Sequence, residues 1–225
     1  HFKMKKIKIA FVKFGGLSYI EHHNEYSQDI DLERERVCHE KYDSNEFEFI
    51  YQGGIPHGKI LDETNFKVAV DVGSGTGWFS NYIVEQRNYE KVYAIEPSDS
   101  AVEIAKKIYP LQEKVEWMNG FSQDRLKEIE LTDKTLFSTL CVLAHIEDES
   151  VINILTEVDK IAPPKSVFCF SEPWGDWWHQ HCWHIRPTNW WKDVLPNWKF
   201  EFDDDCKIGE KQYKGFVAVK EIDIT

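Results

Sequence analysis

Residues 67–80 have the sequence K-V-A-V-D-V-G-S-G-T-G-W-F-S, and this stretch decides the fold prediction. An apolar run is interrupted by one acid, Asp71, and is followed by the alternating glycines Gly73, Gly75 and Gly77. The pattern predicts a strand, a tight turn and the start of a helix. Glycine allows a positive φ and lets a ligand approach the backbone closely. The helix start would direct free N–H groups and a positive dipole end at an anionic group of that ligand.

Three ligand classes compete for such a turn. A phosphate-binding P-loop requires Lys and then Ser or Thr after its last glycine, whereas Trp78 and Phe79 stand there. A dinucleotide fingerprint requires Gly or Ala at its sixth position, which is Trp78 when counted from Gly73 and Ser80 when counted from Gly75. The third pattern, acid-x-G-x-G-x-G, resembles the first motif of class I methyltransferases that use S-adenosylmethionine (SAM). The rest of the chain has to support or oppose this third interpretation.

Length and composition predict one α/β domain with an N-terminal extension, because the chain has 225 residues and 42% apolar residues. We expect residues 1–60 to form the extension, a strand plus a helix, and residues 61–225 to form the main domain. His1, followed by Met4, is consistent with a tag remnant or with a piece of a longer, multidomain protein.

Charge and cysteine content restrict the partners and the compartment. A formal net charge of −12 argues against a nucleic-acid substrate, which would require a basic surface. No run is long and apolar enough to span a membrane, and no signal-peptide pattern is present. Five irregularly spaced cysteines favour reduced thiols over a disulfide framework. A soluble cytoplasmic protein is therefore expected.

From residue 67 onward, predicted strands and helices alternate, which implies a mostly parallel sheet. Strands are predicted at 68–72, 91–95, 115–118, 135–142 and 167–171, with helices at 78–88, 101–109 and 150–161 between them. Two last strands, at 198–202 and 213–221, predict an antiparallel hairpin that closes the sheet. An acid, Glu96, ends the second strand about 20 residues past the glycine turn, where a carboxylate can accept hydrogen bonds from both ribose hydroxyls.

Four elements in this order and spacing resemble the class I SAM-dependent methyltransferases over residues 68–172: the glycine turn, Glu96, a segment after the third strand and His145 after the fourth. The resemblance implies a Rossmann-like, seven-stranded sheet with helices on both faces. It also implies that SAM is the methyl donor and that S-adenosylhomocysteine (SAH) is the product. The residues implied in cofactor binding are Asp71, Gly73, Ser74, Gly75, Gly77, Glu96, Pro97, Ser98, Asn119, Gly120, Phe121 and Cys141.

Residues 171–191 contain six tryptophans and three histidines, far from average composition. Ligands of open α/β sheets bind beyond the carboxyl ends of the strands, where this segment begins, so we expect it to form a wall of the acceptor pocket. A tryptophan-rich packing loop is the alternative. Indole faces can stack on sugar rings and attract a sulfonium cation, and the adjacent polar groups favour a hydroxylated acceptor, most plausibly a sugar or glycan. The predicted acceptor-binding residues are Trp174, Asp176, Trp177, Trp178, His184 and Arg186.

A sugar hydroxyl is a poor acid, so a general base is useful, and histidine suits this role near neutral pH. His145 is the first candidate, with packing against the cofactor as the alternative; His179, His181 and Glu172 are the other catalytic candidates. We predict no structural zinc site, since no second Cys/His pair with matching spacing exists. A divalent ion held by Glu172, Asp176 and a histidine stays open. Methylation of nitrogen or carbon in another metabolite, or a non-catalytic module of a larger protein, are the competing functions.

Overall fold

The computed structural model describes residues 65–140, 142–174, 184, 186–208 and 211–221; the side chains of 171–174, 188, 202–208 and 211–215 are not among the features described. Within this part of the chain, seven strands form one sheet in the order β3-β2-β1-β4-β5-β7-β6. The strands are β1 (Val68–Val72), β2 (Lys91–Glu96), β3 (Val115–Asn119), β4 (Thr135–Leu140), β5 (Val167–Trp174), β6 (Trp198–Ile208) and β7 (Lys211–Lys220).

Three of the helices between these strands were predicted, at 78–88, 101–109 and 150–161, whereas the helices at 122–125 and 188–194 were not. The five helices are α1 (Trp78–Arg87), α2 (Asp99–Ile108), α3 (Ser122–Arg125), α4 (Asp148–Ile161) and α5 (Thr188–Val194), with 3₁₀ turns at Leu126–Glu128 and Leu143–His145. Helix α2 begins before its predicted start because the Ser98 side chain accepts a hydrogen bond from the Ala101 N–H and caps the helix.

The direction of the strands confirms the predicted fold class. Strands β1 to β5 pair in parallel, whereas β7 pairs antiparallel with both β5 and β6. The chain builds β1, β2 and β3 outward in one direction and then returns to place β4 on the other side of β1. The point at which the strand order reverses lies between β1 and β4, and ligands of open α/β sheets bind in the crevice at such a point.

Apolar side chains cover both faces of the sheet. On one face, Val70 and Val72 of β1 belong to a core that includes Ile154 of α4 and Trp191 of α5. On the other face, Ala69 belongs to a second core with the side chains of α1. Consecutive β1 residues thus face opposite layers, as the period of a strand requires, and both layers hold β1 in the centre of the domain.

Strand β5 is longer than predicted, because β7 pairs with it as far as Trp174. The prediction ended the strand at Ser171, two residues before Pro173, which cannot donate a ladder hydrogen bond. Beyond Ser171, where the pairing with β4 ends, the recorded partner of β5 is β7 alone. Proline is tolerated in a strand that pairs on one side only. The segment that was expected to leave the sheet at residue 171 therefore begins as a continuation of β5.

Helix α5 is the second difference from the prediction, which assigned residues 188–191 to an acceptor loop. Here the tryptophans at the end of the segment take part in the protein core, since Trp191 is 2% exposed. The predicted extension at residues 1–60 lies outside the described part of the chain. Among the described residues, no helix is long and apolar enough to cross a membrane.

Candidate active site

The glycine turn after β1 is fixed to the neighbouring strand by its own backbone. The N–H groups of Gly73 and Ser74 both donate to the Ile95 carbonyl oxygen, at 2.8 and 3.0 Å. Gly73 has φ +78°, and a methyl group built on it would lie 2.5 Å from a γ-carbon of Val142. Glycine is therefore required here both for the backbone conformation and for the space, and the turn after β1 contacts the segment after β4.

The end of the turn is equally confined. Gly77 has φ +86°, and a methyl group at this position would overlap the indole ring of Trp117 from β3. Helix α1 begins at the next residue. The glycines of the motif thus allow the turn to fit between β3 and the segment after β4, which is a packing requirement that the motif itself did not reveal.

Asp71, predicted to take part in cofactor binding, is 2% exposed and accepts hydrogen bonds from two hydroxyl groups. Ser80 of α1 donates at 2.6 Å and Ser138 of β4 donates at 3.2 Å. Burial raises the pKa of Asp71 to about 6, against the lowering effect of the two serines. Asp71 therefore links β1, α1 and β4 beneath the glycine turn. The sequence prediction missed both serines, whose positions on an adjacent helix turn and strand are set by the tertiary fold.

Glu96 connects the ends of three strands. Its two carboxylate oxygens accept from the N–H groups of Gly75 and Ser98, both at 2.9 Å. Its carbonyl oxygen accepts from the Gly120 N–H at 3.0 Å and from the Asn119 side-chain amide at 3.2 Å. Each carboxylate oxygen retains acceptor capacity, since a carboxylate offers about four acceptor positions.

The electrostatics of Glu96 reflect its position. The residue is 1% exposed, and this burial raises the pKa of its carboxyl group, although the Ser98 and Gly75 N–H groups oppose the rise. Asp71 raises the pKa further. Two buried acids therefore lie beneath the glycine turn, where bound hydroxyl or N–H donors would stabilise their ionised forms.

The segment after β3 is held against β2 by main-chain and side-chain contacts. Besides its bond to Glu96, the Asn119 amide lies 3.5 Å from the Pro97 carbonyl oxygen. The Asn119 carbonyl oxygen in turn accepts from Arg125 at 2.6 Å. Phe121 is 43% exposed and is one of three large apolar residues described as exposed. An exposed ring next to the ends of β2 and β3 is suited to stack on a planar ligand group.

Two observations test whether the turn suits SAM. The Ser74 hydroxyl is buried and has no hydrogen-bond partner among the described residues. A methyl group built on Gly75 would meet no atom within 4 Å, so this part of the turn borders open space. Buried polar atoms are almost always hydrogen-bonded in proteins, and an unpaired one indicates a missing partner. The turn therefore fits a ligand that carries polar groups.

His145 lies in the 3₁₀ turn that follows β4, three residues beyond Val142. The side chain is half-buried, and burial lowers its pKa below the ordinary value of 6.5. His184 lowers this pKa further. The imidazole is thus predominantly neutral near pH 7 and can accept a proton.

Two residues from the tryptophan-rich segment contact the His145 turn. The N–H of His184 donates to the Ala144 carbonyl oxygen at 3.2 Å. Arg186, 5% exposed, binds main-chain carbonyls of the same turn and the Asp148 carboxylate. The predicted role of both in acceptor binding stays a prediction, and the described contacts of Arg186 are those of a buried structural cation. The sequence prediction missed Asp148, which had no distinguishing feature beyond its place at a helix start.

The remaining predicted residues are not described in side-chain detail. Glu172 and Trp174 belong to β5, but their side chains fall outside what the structure describes. Cys141, Asp176, Trp177, Trp178, His179 and His181 also lie outside the described residues. In the part that is described, no group of three or more His, Cys, Asp or Glu side chains could hold a metal ion.

Comparison with known proteins agrees with this architecture. Residues 69–165 match the family model of a methyltransferase domain. Comparison with curated protein sequences gave no match. Among solved structures, the methyltransferase domain of bacterial CtHen1 is similar at a TM-score of 0.60 and 17% identity, over 72% of this chain and 94% of that one.

Two further similar structures are complexes with SAM or with its product SAH. DhpI in complex with SAH has a TM-score of 0.57 and 14% identity, over 89% of this chain and 98% of that chain. Human N-acetylserotonin methyltransferase in complex with SAM also has a TM-score of 0.57 and 14% identity, over 90% of this chain and 56% of that chain. At such identities the likeness establishes the fold. The family match over residues 69–165 and the seven-stranded sheet together show that this part of the chain has the fold of a SAM-dependent methyltransferase domain.

Proposed function

We propose that the protein is an O-methyltransferase that transfers the methyl group of SAM to a hydroxyl of a sugar or glycan, with His145 as general base. Residues 61–225 form the catalytic domain in this proposal, and residues 1–60 form an N-terminal extension or cap, which would also suit a linker to further domains. The reduced-thiol cysteine composition supports action in the cytoplasm.

Cofactor binding is assigned to the ends of the first three strands. We propose that Glu96 accepts hydrogen bonds from the ribose hydroxyls through the acceptor positions that Gly75 and Ser98 leave on its carboxylate. Phe121, with its exposed ring, is proposed to contact adenine beside Asn119. The Ser74 hydroxyl and the open space at Gly75 are assigned to the polar part of the cofactor.

The observation that carries the choice of His145 is the contact between Val142 and Gly73, described above. It brings the turn after β4 against the cofactor turn at the point where the strand order reverses. His145 follows three residues later on the same turn. Its lowered pKa supports the role, because a general base must be unprotonated at the working pH.

The acceptor class is supported by composition and charge. The segment at 171–191 is rich in tryptophan, histidine and hydrogen-bonding side chains, which suits a hydroxylated ring. The net charge of −12 disfavours polyanionic acceptors. Trp174, Asp176, Trp177, Trp178 and His184 are the proposed acceptor-side residues, whereas the described contacts of Arg186 are to the turn after β4. His179, His181 and Glu172 are the other candidates for the base.

The mechanism requires alignment and a proton acceptor. SAM, when bound, supplies a methyl group on a positively charged sulfur, which is already a good leaving group. His145 accepts the proton of the acceptor hydroxyl as the oxygen attacks in line. Holding the reacting atoms about 3–3.5 Å apart can remove roughly 7–11 kcal/mol of the barrier.

The first experiment measures methyl transfer from radiolabelled SAM to a panel of glycosides, phenols and amines. We expect transfer to glycosides, including rhamnosides, and not to amines. Transfer to a nitrogen or carbon acceptor would replace the proposed reaction by the competing one, since the shared fold does not specify the accepting atom. SAM binding without transfer to any acceptor in the panel would favour a non-catalytic module.

The role of His145 is tested with His145→Ala. We expect turnover to fall by about 10²–10⁴-fold, because general base catalysis contributes that much, while the Kd for SAM stays within about twofold. The acid limb of the wild-type pH profile should lie below pH 6.5 and should disappear in the variant, and added imidazole should restore part of the turnover. A variant that keeps its turnover but loses SAM affinity would reassign His145 to cofactor packing.

A further inference from the structure

The side chain of Arg186 is a buried cation whose partners are concentrated on one turn. Its side chain is 3% exposed, and Nη1 donates to the Leu143 carbonyl oxygen at 2.7 Å. Nη2 donates to the Ile146 carbonyl oxygen at 2.5 Å, and Nε donates to the Asp148 carboxylate at 2.9 Å. One guanidinium thus binds the main chain on both sides of His145.

The neighbouring contacts extend this arrangement. The His184 N–H binds the Ala144 carbonyl oxygen at 3.2 Å, so residues 184 and 186 together hold three carbonyl groups of the turn. On its other side, the guanidinium carbon lies 4.9 Å from the ring centre of Trp190 and 5.7 Å from that of Trp191. The cation is therefore fixed between α5 and the turn, and its own freedom to move is small.

Electrostatics show that an ordinary ion pair does not account for the placement of Arg186. The carboxylate that pairs with it in the described part of the chain, that of Asp148, is 58% exposed, and solvent weakens such a pair. A buried charge needs further hydrogen bonds to offset its desolvation, and the Leu143 and Ile146 carbonyls provide them. Only a guanidinium has donors in a planar fork that can bind several acceptors at once.

We propose that Arg186 is a positioning residue, which holds the turn Leu143–His145 and thereby sets the direction of the His145 imidazole. The inference rests on the proposed function, in which His145 is the base. It assigns to Arg186 a role different from the acceptor contact that the sequence suggested. Because Arg186 precedes α5, it also couples the packing of that helix to the geometry of the turn.

A purely structural role would produce the same contacts, so the test needs a matched control. Lys220 supplies it: this cation, with a 14% exposed side chain, binds the main-chain carbonyl and the carboxylate of Asp159. It holds the C-terminal part of α4, whereas Arg186 holds the N-terminal end of the same helix. Lys220→Met should therefore weaken the fold without changing the His145 turn.

The experiment compares wild type, Arg186→Lys and Lys220→Met by NMR of histidines labelled at Cε1, with the His145 signal assigned by its loss in His145→Gln. Lysine keeps the positive charge but lacks the planar set of donors of the guanidinium, so a change in the His145 signal reports altered geometry and not altered charge. We expect the His145 titration midpoint to move toward 6.5 in Arg186→Lys, since the looser turn exposes the imidazole. Turnover per folded molecule should fall about 10–100-fold, as misplaced catalytic groups do, with the Kd for SAM within about twofold.

Two outcomes would overturn the proposal. One is a His145 signal and titration unchanged in Arg186→Lys; the other is an equal change in Lys220→Met, which would indicate general loosening of the fold. If Arg186→Lys does not fold, Asp148→Asn removes one partner of the fork and should move the His145 signal in the same direction by a smaller amount; an unchanged signal rejects the proposal. The NMR measurement needs no methyl acceptor, so it tests the positioning role separately from the reaction. A shifted His145 signal in Arg186→Lys together with a fully active His145→Ala variant would reject His145 as general base but keep Arg186 as the residue that positions it.

Discussion

Glu96 links the carboxyl ends of strands β1, β2 and β3. Its carboxylate accepts hydrogen bonds from Gly75 and Ser98, and its carbonyl oxygen accepts one from the Asn119 side chain. The same carboxylate is proposed to bind ribose. A substitution here therefore affects both the shape of the cleft and one direct ligand contact.

We expect Glu96→Gln to weaken SAM binding at least tenfold, which corresponds to about 1.4 kcal/mol. The amide nitrogen cannot accept a hydrogen bond, so one main-chain contact and one proposed ribose contact are lost while the volume is kept. Titration calorimetry measures the affinity, and circular dichroism checks the fold. Glu116→Gln is the control, because Glu116 lies on the adjacent strand β3 and forms an exposed ion pair with Lys91. Wild-type affinity in Glu96→Gln would refute the ribose assignment.

Asp71 gives a prediction about pH. Its pKa is raised from 3.8 to about 6 on folding, so the folded state binds the proton more tightly than the unfolded state. The stabilising contribution of protonation is complete below about pH 4 and is lost as the pH rises through 6. The full contribution of Asp71 protonation to the free energy of unfolding is about 3 kcal/mol, since one pKa unit corresponds to about 1.4 kcal/mol.

Asp71→Asn removes this dependence. The free energy of unfolding of wild type, relative to the variant, should fall by about 1–2 kcal/mol between pH 5 and pH 7.5, as measured by urea denaturation. Ionised Asp71 also raises the pKa of Glu96. Asp71→Asn removes this repulsion, so it adds to the expected fall in the relative free energy of unfolding with rising pH. A difference between the two proteins that stays constant over this pH range would mean that Ser80 and Ser138 fully offset the burial of the charge.

Among the elements, α5 most changes the interpretation of the tryptophan-rich segment. The Trp191 ring lies 4.8 Å from that of Phe170 and 6.1 Å from that of Phe216. The other indole, Trp190, is half-buried and packs at the edge of this cluster. Part of the tryptophan content thus stabilises the fold, as the packing alternative stated, while the proposed acceptor residues lie earlier in the segment.

We expect Trp191→Ala to lower the free energy of unfolding by about 3–5 kcal/mol, the range for large aromatic side chains removed from a core. Trp190→Ala is the matched comparison and should cost clearly less, because part of its surface already contacts water. Chemical denaturation of both variants measures the difference. Equal costs would contradict the assignment of Trp191 to the core.

The helix itself was predictable in part. Pro187 precedes the first helical residue, and Trp191, Val194 and Leu195 follow at helical spacing. The composition of the segment directed attention to ligand binding instead. Composition is a weak guide when one segment contributes both to a site and to a core.

For the whole molecule, the succession of strands and helices, the mostly parallel sheet and its antiparallel last hairpin could be predicted, since the underlying sequence patterns are local. Glu96 could be placed at a strand end for the same reason. The lateral order of the strands was not predicted. The hydrogen bonds of Ser80 and Ser138 with Asp71 could not be predicted, because residues 71 and 138 are brought together only by the return of the chain across the sheet. The contacts of Arg186 depend in the same way on two distant segments.

The return of the chain also has a consequence for the order of folding. Strand β1 is central in the completed sheet, yet its β4 neighbour pairs from Thr135 onward, and β2 and β3 lie on the opposite side. During synthesis, one edge of β1 therefore keeps unpaired N–H and C=O groups until β4 has been made. Unpaired strand edges invite association with other chains. All of the chain between Val72 and Thr135 thus has to be synthesised before this edge of β1 can pair.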